Sequence, residues 1–188
     1  MKVIFSTLLV TLLALPTAIS QGLPALPNGF QVDQQAEKLF AQMSAAADSY
    51  GVRGTKANDS MSPCFSDPKI EFSYGWSLNP AGKIVIEMMI KAPQDPASNS
   101  SQTGVLDEPV SKQAYKGGVL EWRKQTWPVI TGHPCKDSQV IFYSGKWMGL
   151  VGNKIVGIAV DRLYNSKVQG QAWIDEYITK VAGALNSK

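Results

Sequence analysis

Residues 138–160 read SQVIFYSGKWMGLVGNKIVGIAV, and this stretch decides the fold class. Its runs 138–143, 146–151 and 154–160 are rich in β-branched and aromatic residues, and Ser144-Gly145 and Gly152-Asn153 punctuate them. Short β-prone runs parted by two-residue glycine turns are the mark of consecutive hairpins, so the stretch predicts a three-stranded antiparallel meander. Alternation sets Val140 and Phe142 against Ile141 and Tyr143, and Trp147 and Val151 against Met148 and Leu150. Both sets are apolar, so both faces of this sheet need cover.

Outward from the meander, residues 165–185 read as a closing helix with the stripe Trp173, Ile174, Tyr177, Ile178, Val181 and Leu185. Ser166 and Gln169 have capping-box spacing at its start. Residues 33–50 predict an opening helix through Ala36, Leu39, Phe40, Met43, Ala47 and Tyr50, with Gly51 as its stop. Runs 69–78 and 83–91 flank Asn79-Pro80-Ala81-Gly82 and predict a hairpin, in which Ile84, Ile86, Met88 and Ile90 share a face. Residues 51–68 and 92–114 predict loops, the second holding a short helix near 108–114 and offering a lid. Strand signals resume at 118–124, and 127–130 is at best an edge strand because of Pro128.

Strands gathered between terminal helices indicate an α+β domain. The expected antiparallel sheet has about five to seven strands, a hairpin plus the C-terminal meander, packed against an N-terminal and a C-terminal helix. The order of elements is compatible with a helix-grip arrangement, a curved sheet wrapping a long C-terminal helix. That is an analogy of topology and implies no function.

The chain has 188 residues, 44% apolar and 18% charged, which is a globular composition. Lys2, the apolar run 3–15, Pro16 and the small residues Ala18 and Ser20 read as a signal peptide over 1–20. The run is short of the ~20 residues a membrane span needs. Residues 21–188 are then a single α+β domain, secreted or periplasmic. In an oxidising compartment Cys64 and Cys135, the only two cysteines, are expected to pair. On the loop-entropy model that bridge stabilises by about 4 kcal/mol. A Cys135 nucleophile served by His133 is the weaker alternative, since residues two apart seldom present thiol and imidazole to each other. Asn58 and Asn99 head glycosylation triplets that matter only on a eukaryotic secretory route.

One histidine and two cysteines exclude zinc fingers, HExxH sites and multi-disulfide scaffolds. No phosphate loop, GxGxxG, GxSxG or EF-hand loop occurs, so neither cofactor nor metal is expected. Charge is uneven: residues 21–109 carry 6 basic and 10 acidic groups, whereas 110–167 carry 9 basic and 3 acidic. That bias is too small for a nucleic-acid footprint, and export argues against that partner as well. A membrane surface is a weaker candidate than a small molecule or an extracytoplasmic protein.

Catalytic vocabulary is sparse while aromatic, strand-rich surface is abundant. The expected function is an exported, non-catalytic binding module with an aromatic-lined cleft for a small apolar or amphipathic ligand. Trp76, Trp122, Trp127, Tyr143 and Trp147 are the candidate contacts, with Arg123, Lys124 and Lys146 as anchors for an acidic group. One alternative is an inhibitor or immunity-type protein acting on an extracytoplasmic partner through a loop. Another is a carboxylate-dependent hydrolase using Glu87 or Glu121 with His133. The compartment and the cysteine pairing share one test. Intact mass of the mature protein is expected to begin at Gln21 and to rise by two hydrogens on reduction. Free thiols before reduction would refute the pairing.

Overall fold

Large side chains sit at alternate positions of the two central strands, and that alternation organises the molecule. The computed structural model describes residues 24–46, 48–58, 69–101, 103–128, 140–164 and 166–187. In chain order these form β1 (Gln31–Val32), α1 (Gln34–Ala46), β2 (Ser49–Ala57), β3 (Lys69–Leu78), α2 (Gly82–Lys91), β4 (Ser98–Asn99), β5 (Leu106–Tyr115), β6 (Gly118–Trp127), β7 (Val140–Val151), β8 (Lys154–Tyr164) and α3 (Val168–Asn186). One sheet has the order β1-β2-β3-β8-β7-β6-β5-β4, with every pair antiparallel. The chain is therefore of the α+β class with an antiparallel sheet.

One face carries the main core. Register places Val52, Tyr74 and Ile158 in one row and Phe72 and Val160 in the next, with Trp122, Trp147 and Leu120 continuing the layer on β6 and β7. Against them α3 lays Ile174, Tyr177, Ile178 and Val181, the stripe the sequence predicts. Burying each such side chain stabilises by roughly 1.5–3 kcal/mol. The segment 24–30 closes this layer. Leu26 packs where a Cβ on Gly54 would stand, and Phe30 meets Phe72 and Trp173 edge-on at 5.8 and 5.2 Å. Two core phenols tie the segment down, Tyr74 donating to the Pro24 carbonyl and Tyr177 to that of Ala25. Burial pushes Tyr177 up to about 12 and Tyr74 higher still, so both hydroxyls remain donors at physiological pH.

The shorter helices lie on the opposite face. Phe40 of α1 rests on Gly51, and Gly82 of α2 lies against Leu150 and Ile155. No helix among the described residues is long and apolar enough to cross a membrane.

Several expectations are corrected. Residues 83–91 are not the second arm of a hairpin but helix α2. Asn79-Pro80 is also a helix-opening pair: Asn79 Oδ1 accepts the Ala81 N–H at 2.9 Å and its carbonyl accepts that of Gly82. Moreover β3 already has β2 and β8 beside it, so it has no free edge. Residues 49–57, expected as helix end and loop, form β2, where glycines mark close approaches and not turns. The loop and short helix expected within 92–114 are replaced from Leu106 by β5, whose Pro109 sits at a bulge on the sheet's outer side. Ser144-Gly145 is a bulge inside a continuous β7 and not a turn, because the Trp122 ring occupies the space above Gly145. The sheet has eight strands, two of them only two residues long. Cys64, His133, Cys135 and the signal segment lie outside the described residues.

A polar clasp fixes α3 to the β5–β6 turn. Asp175 accepts from Tyr115 at 2.9 Å, Lys116 at 2.7 Å and Gln171 at 3.3 Å, and Gln171 accepts from Trp122 at 3.1 Å. Burial alone would raise the Asp175 carboxyl, but these donors outweigh it and hold it below the usual carboxylate range. Asp175→Asn is expected to lower stability at pH 7 by about 1 kcal/mol, discounted for partial exposure, or Tm by about 3 °C. A depressed carboxylate stabilises above its unfolded pKa and loses that contribution as pH falls through the folded one. The difference between variant and wild type should therefore close in acid; a gap constant down to pH 2 would contradict the clasp.

Candidate functional site

Small residues fill the rest of the alternation. On the face opposite α3, β3 carries Ser73, Gly75 and Ser77, β8 carries Gly157 and Ala159, and β2 carries Ser49 and Gly51. Register aligns them in rows across the strands. Gly51, Gly75 and Gly157 form one row, ending at Met148. Ser49, Ser77 and Ile155 form the row on one side, and Arg53, Ser73, Ala159 and Lys146 the row on the other. The result is a groove of about 330 Å³ floored by peptide planes and short side chains. Phe40, Met148, Ile155 and Lys146 also line it.

Most strand glycines here are explained by what lies over them. A Cβ on Gly145 would stand 2.6 Å from the Trp122 ring, and one on Gly149 would stand 2.2 Å from the Trp147 ring. Phe40 occupies the space over Gly51, and the Tyr50 carbonyl approaches Gly75 to 2.6 Å of such a Cβ. Gly157 differs: nothing among the described residues lies within 4 Å of the position its Cβ would take.

The electrostatics of the groove rest on one group. Among its lining residues Lys146 alone is charged, and it makes no ion pair or hydrogen bond among the described residues. The hydroxyls of Ser49, Ser73 and Ser77 likewise have no side-chain partner there. Several other cations are engaged. Arg53 pairs with Glu71, and Lys124 with Glu108. Arg123 holds Asp107 at 2.9 Å and Glu121 at 3.4 Å. Burial would lower the Arg123 guanidinium, but these carboxylates outweigh it and raise it; Glu108 raises Lys124.

The eight candidate residues do not converge on one cleft. Trp122 and Trp147 are 2% and 1% exposed in the core beneath α3, and their N–H groups are bonded to Gln171 and the Tyr115 carbonyl. Tyr143 is half-buried beside that core, and Trp76 carries Lys154 Nζ 4.4 Å from its ring centre. Trp127 packs with Phe142, Val140 and Tyr164 in a small separate cluster. Arg123 and Lys124 project to opposite faces of β6, and only Trp76 and Lys146 border the groove. Glu87, expected on a strand, is exposed on α2, and Glu121 is held by Arg123. Among the described residues no group of three or more His, Cys, Asp or Glu is placed to hold a metal.

The residues that make the groove, Phe40, Ser73, Gly75, Ser77, Met148, Ile155 and Gly157, were missed by sequence reasoning, which followed the large side chains of the alternation. Their signal was the complementary set of small ones. A second cleft, of about 430 Å³, lies between α2 and the β5–β6 turn and includes Glu87 and Lys116, but Asp175 already engages that lysine. Compared with protein-family models, curated proteins and solved structures, the chain matches none.

Glycine inside a strand costs roughly 0.5–1 kcal/mol relative to alanine. Gly157→Ala is therefore expected to melt at or slightly above the wild type, whereas Gly75→Ala, which must displace backbone, should melt several degrees lower. Equal losses for both would mean that the space over Gly157 is filled.

Proposed function

We propose that the chain is an exported binding protein that holds a small apolar or amphipathic molecule on the open face of its sheet. The observation that carries this is Gly157, a mid-strand glycine with an empty Cβ direction at the centre of the groove. Such a residue weakens its strand and packs nothing, and its usual use is to admit a close-approaching ligand or backbone. The groove volume lies at the lower end of ligand sites, roughly 300–1,000 Å³. Among the described residues its lining supplies hydroxyls, one ammonium and apolar walls, with no carboxylate, imidazole or thiol. That inventory supports binding over hydrolysis, since no general acid–base pair among the described residues faces the space.

A helix-grip arrangement would place ligand space between the sheet and α3. Here Trp122, Trp147, Tyr177 and Phe72 fill that layer, so the ligand is assigned to the other side. The proposal keeps the signal peptide, the secreted or periplasmic location and the Cys64–Cys135 bridge.

Native mass spectrometry of protein purified from its own host tests this reading. Wild type is expected to carry a small molecule that Gly157→Phe has lost while melting within a few degrees of wild type. Ser73→Leu, which fills the floor from the neighbouring strand, should lose it too. A molecule retained by both variants, or absent from wild type, would overturn the proposal.

A further inference from the structure

We infer that the ligand is a flat amphiphile bearing an acidic group, its ring system bedded on Gly75 and Gly157 and its anion held by Lys146; this rests on the groove reading above. Flatness follows from the floor. Gly75 and Gly157 expose a strip of peptide backbone beside the Phe40 ring that lies over Gly51, and on β3 and β8 the strip is flanked by the short side chains of Ser73, Ser77 and Ala159. A planar body makes the largest contact with such a surface, with Met148 and Ile155 against its edge.

The acid follows from Lys146 being the charged residue among those that line the groove. Arg53, Lys116, Arg123, Lys124 and Lys180 each have a carboxylate, and Lys112 donates to the Ala92 and Pro93 carbonyls. Lys146 forms no such bond among the described residues, Glu121 opposite it on β6 being held by Arg123, and it stands one row from the glycines, about 7 Å along the strand. A neutral ligand covering it would strip water from an ammonium and return nothing, and a cationic one would be repelled. An anion over Ser73 and Ala159 gains a charge-assisted bond. The hydroxyl of Ser73 lies in the same row to add a second.

The test uses two fluorescent probes with the same ring system, anilinonaphthalenesulfonate and the uncharged phenylnaphthylamine, on the mature protein. Lys146→Met keeps an apolar stem and removes the charge. It is expected to weaken the sulfonate about tenfold, equivalent to about 1.4 kcal/mol, and to leave the uncharged probe unchanged. Added salt should weaken the sulfonate on wild type but not on the variant. Gly157→Phe and Ser73→Leu should remove both probes. Loss of both probes on filling the floor, with no effect of Lys146→Met, would overturn the acidic class while leaving the groove. Indifference of both probes to filling the floor, or no binding to wild type, would overturn the groove itself and the inference with it.

Discussion

The long helix α3 can pack on only one face of the sheet, and β3 and β8 turn nearly all their large side chains to that face. Period-two geometry then forces the intervening residues to the other side. Where those are Ser73, Gly75, Ser77, Gly157 and Ala159, the second face has little of its own to bury. The shorter helices cover its flanks, α1 through Phe40 and α2 through Gly82 and Ile86, and the centre is left as a groove. The core and the candidate site are thus two consequences of a single alternation.

The same division governs the polar groups. On the core side most buried donors are satisfied, Trp122 by Gln171, Trp147 by the Tyr115 carbonyl, Tyr74 and Tyr177 by the 24–30 segment, while the buried Trp76 indole N–H has no partner among the described residues. Leaving such donors unpaired would cost about 1–3 kcal/mol each. At the β5 margin the sheet is closed to further pairing by Pro109, its bulge and the side chain of Lys112, devices that limit edge-to-edge association. The unpaired ammonium of Lys146 and the unpartnered serine hydroxyls contrast with this pattern because they occur together over the glycine floor.

The α+β class, the antiparallel sheet, both terminal helices and the apolar stripe of α3 were legible in the sequence because each rests on local periodicity. Residues 83–91 were not, since Ile84, Ile86, Met88 and Ile90 fit a strand while Gly82 and Ile86 fit a helix face, and only the tertiary pairing of β3 decides between them. Gly51, Gly54 and Gly145 read as breakers because a glycine that makes room for Phe40, Leu26 or Trp122 looks the same, in one dimension, as one that turns the chain. The candidate site was legible in part. Lys146 was named for its charge, but Arg123 and Lys124 are equal to it in sequence and differ in forming ion pairs, whereas Glu121, which stands opposite Lys146 on β6, is engaged by Arg123. Trp122 and Trp147 were conspicuous as aromatics, and their burial depends on where α3 lands.

A crystal structure of the protein purified from its own host would test the central claim most directly. The account predicts a bound molecule lying flat over Gly75 and Gly157, with an oxygen of its acidic group within hydrogen-bond distance of Lys146 Nζ. Ordered water alone over those glycines, with a molecule bound instead in the cleft between α2 and the β5–β6 turn, would contradict it.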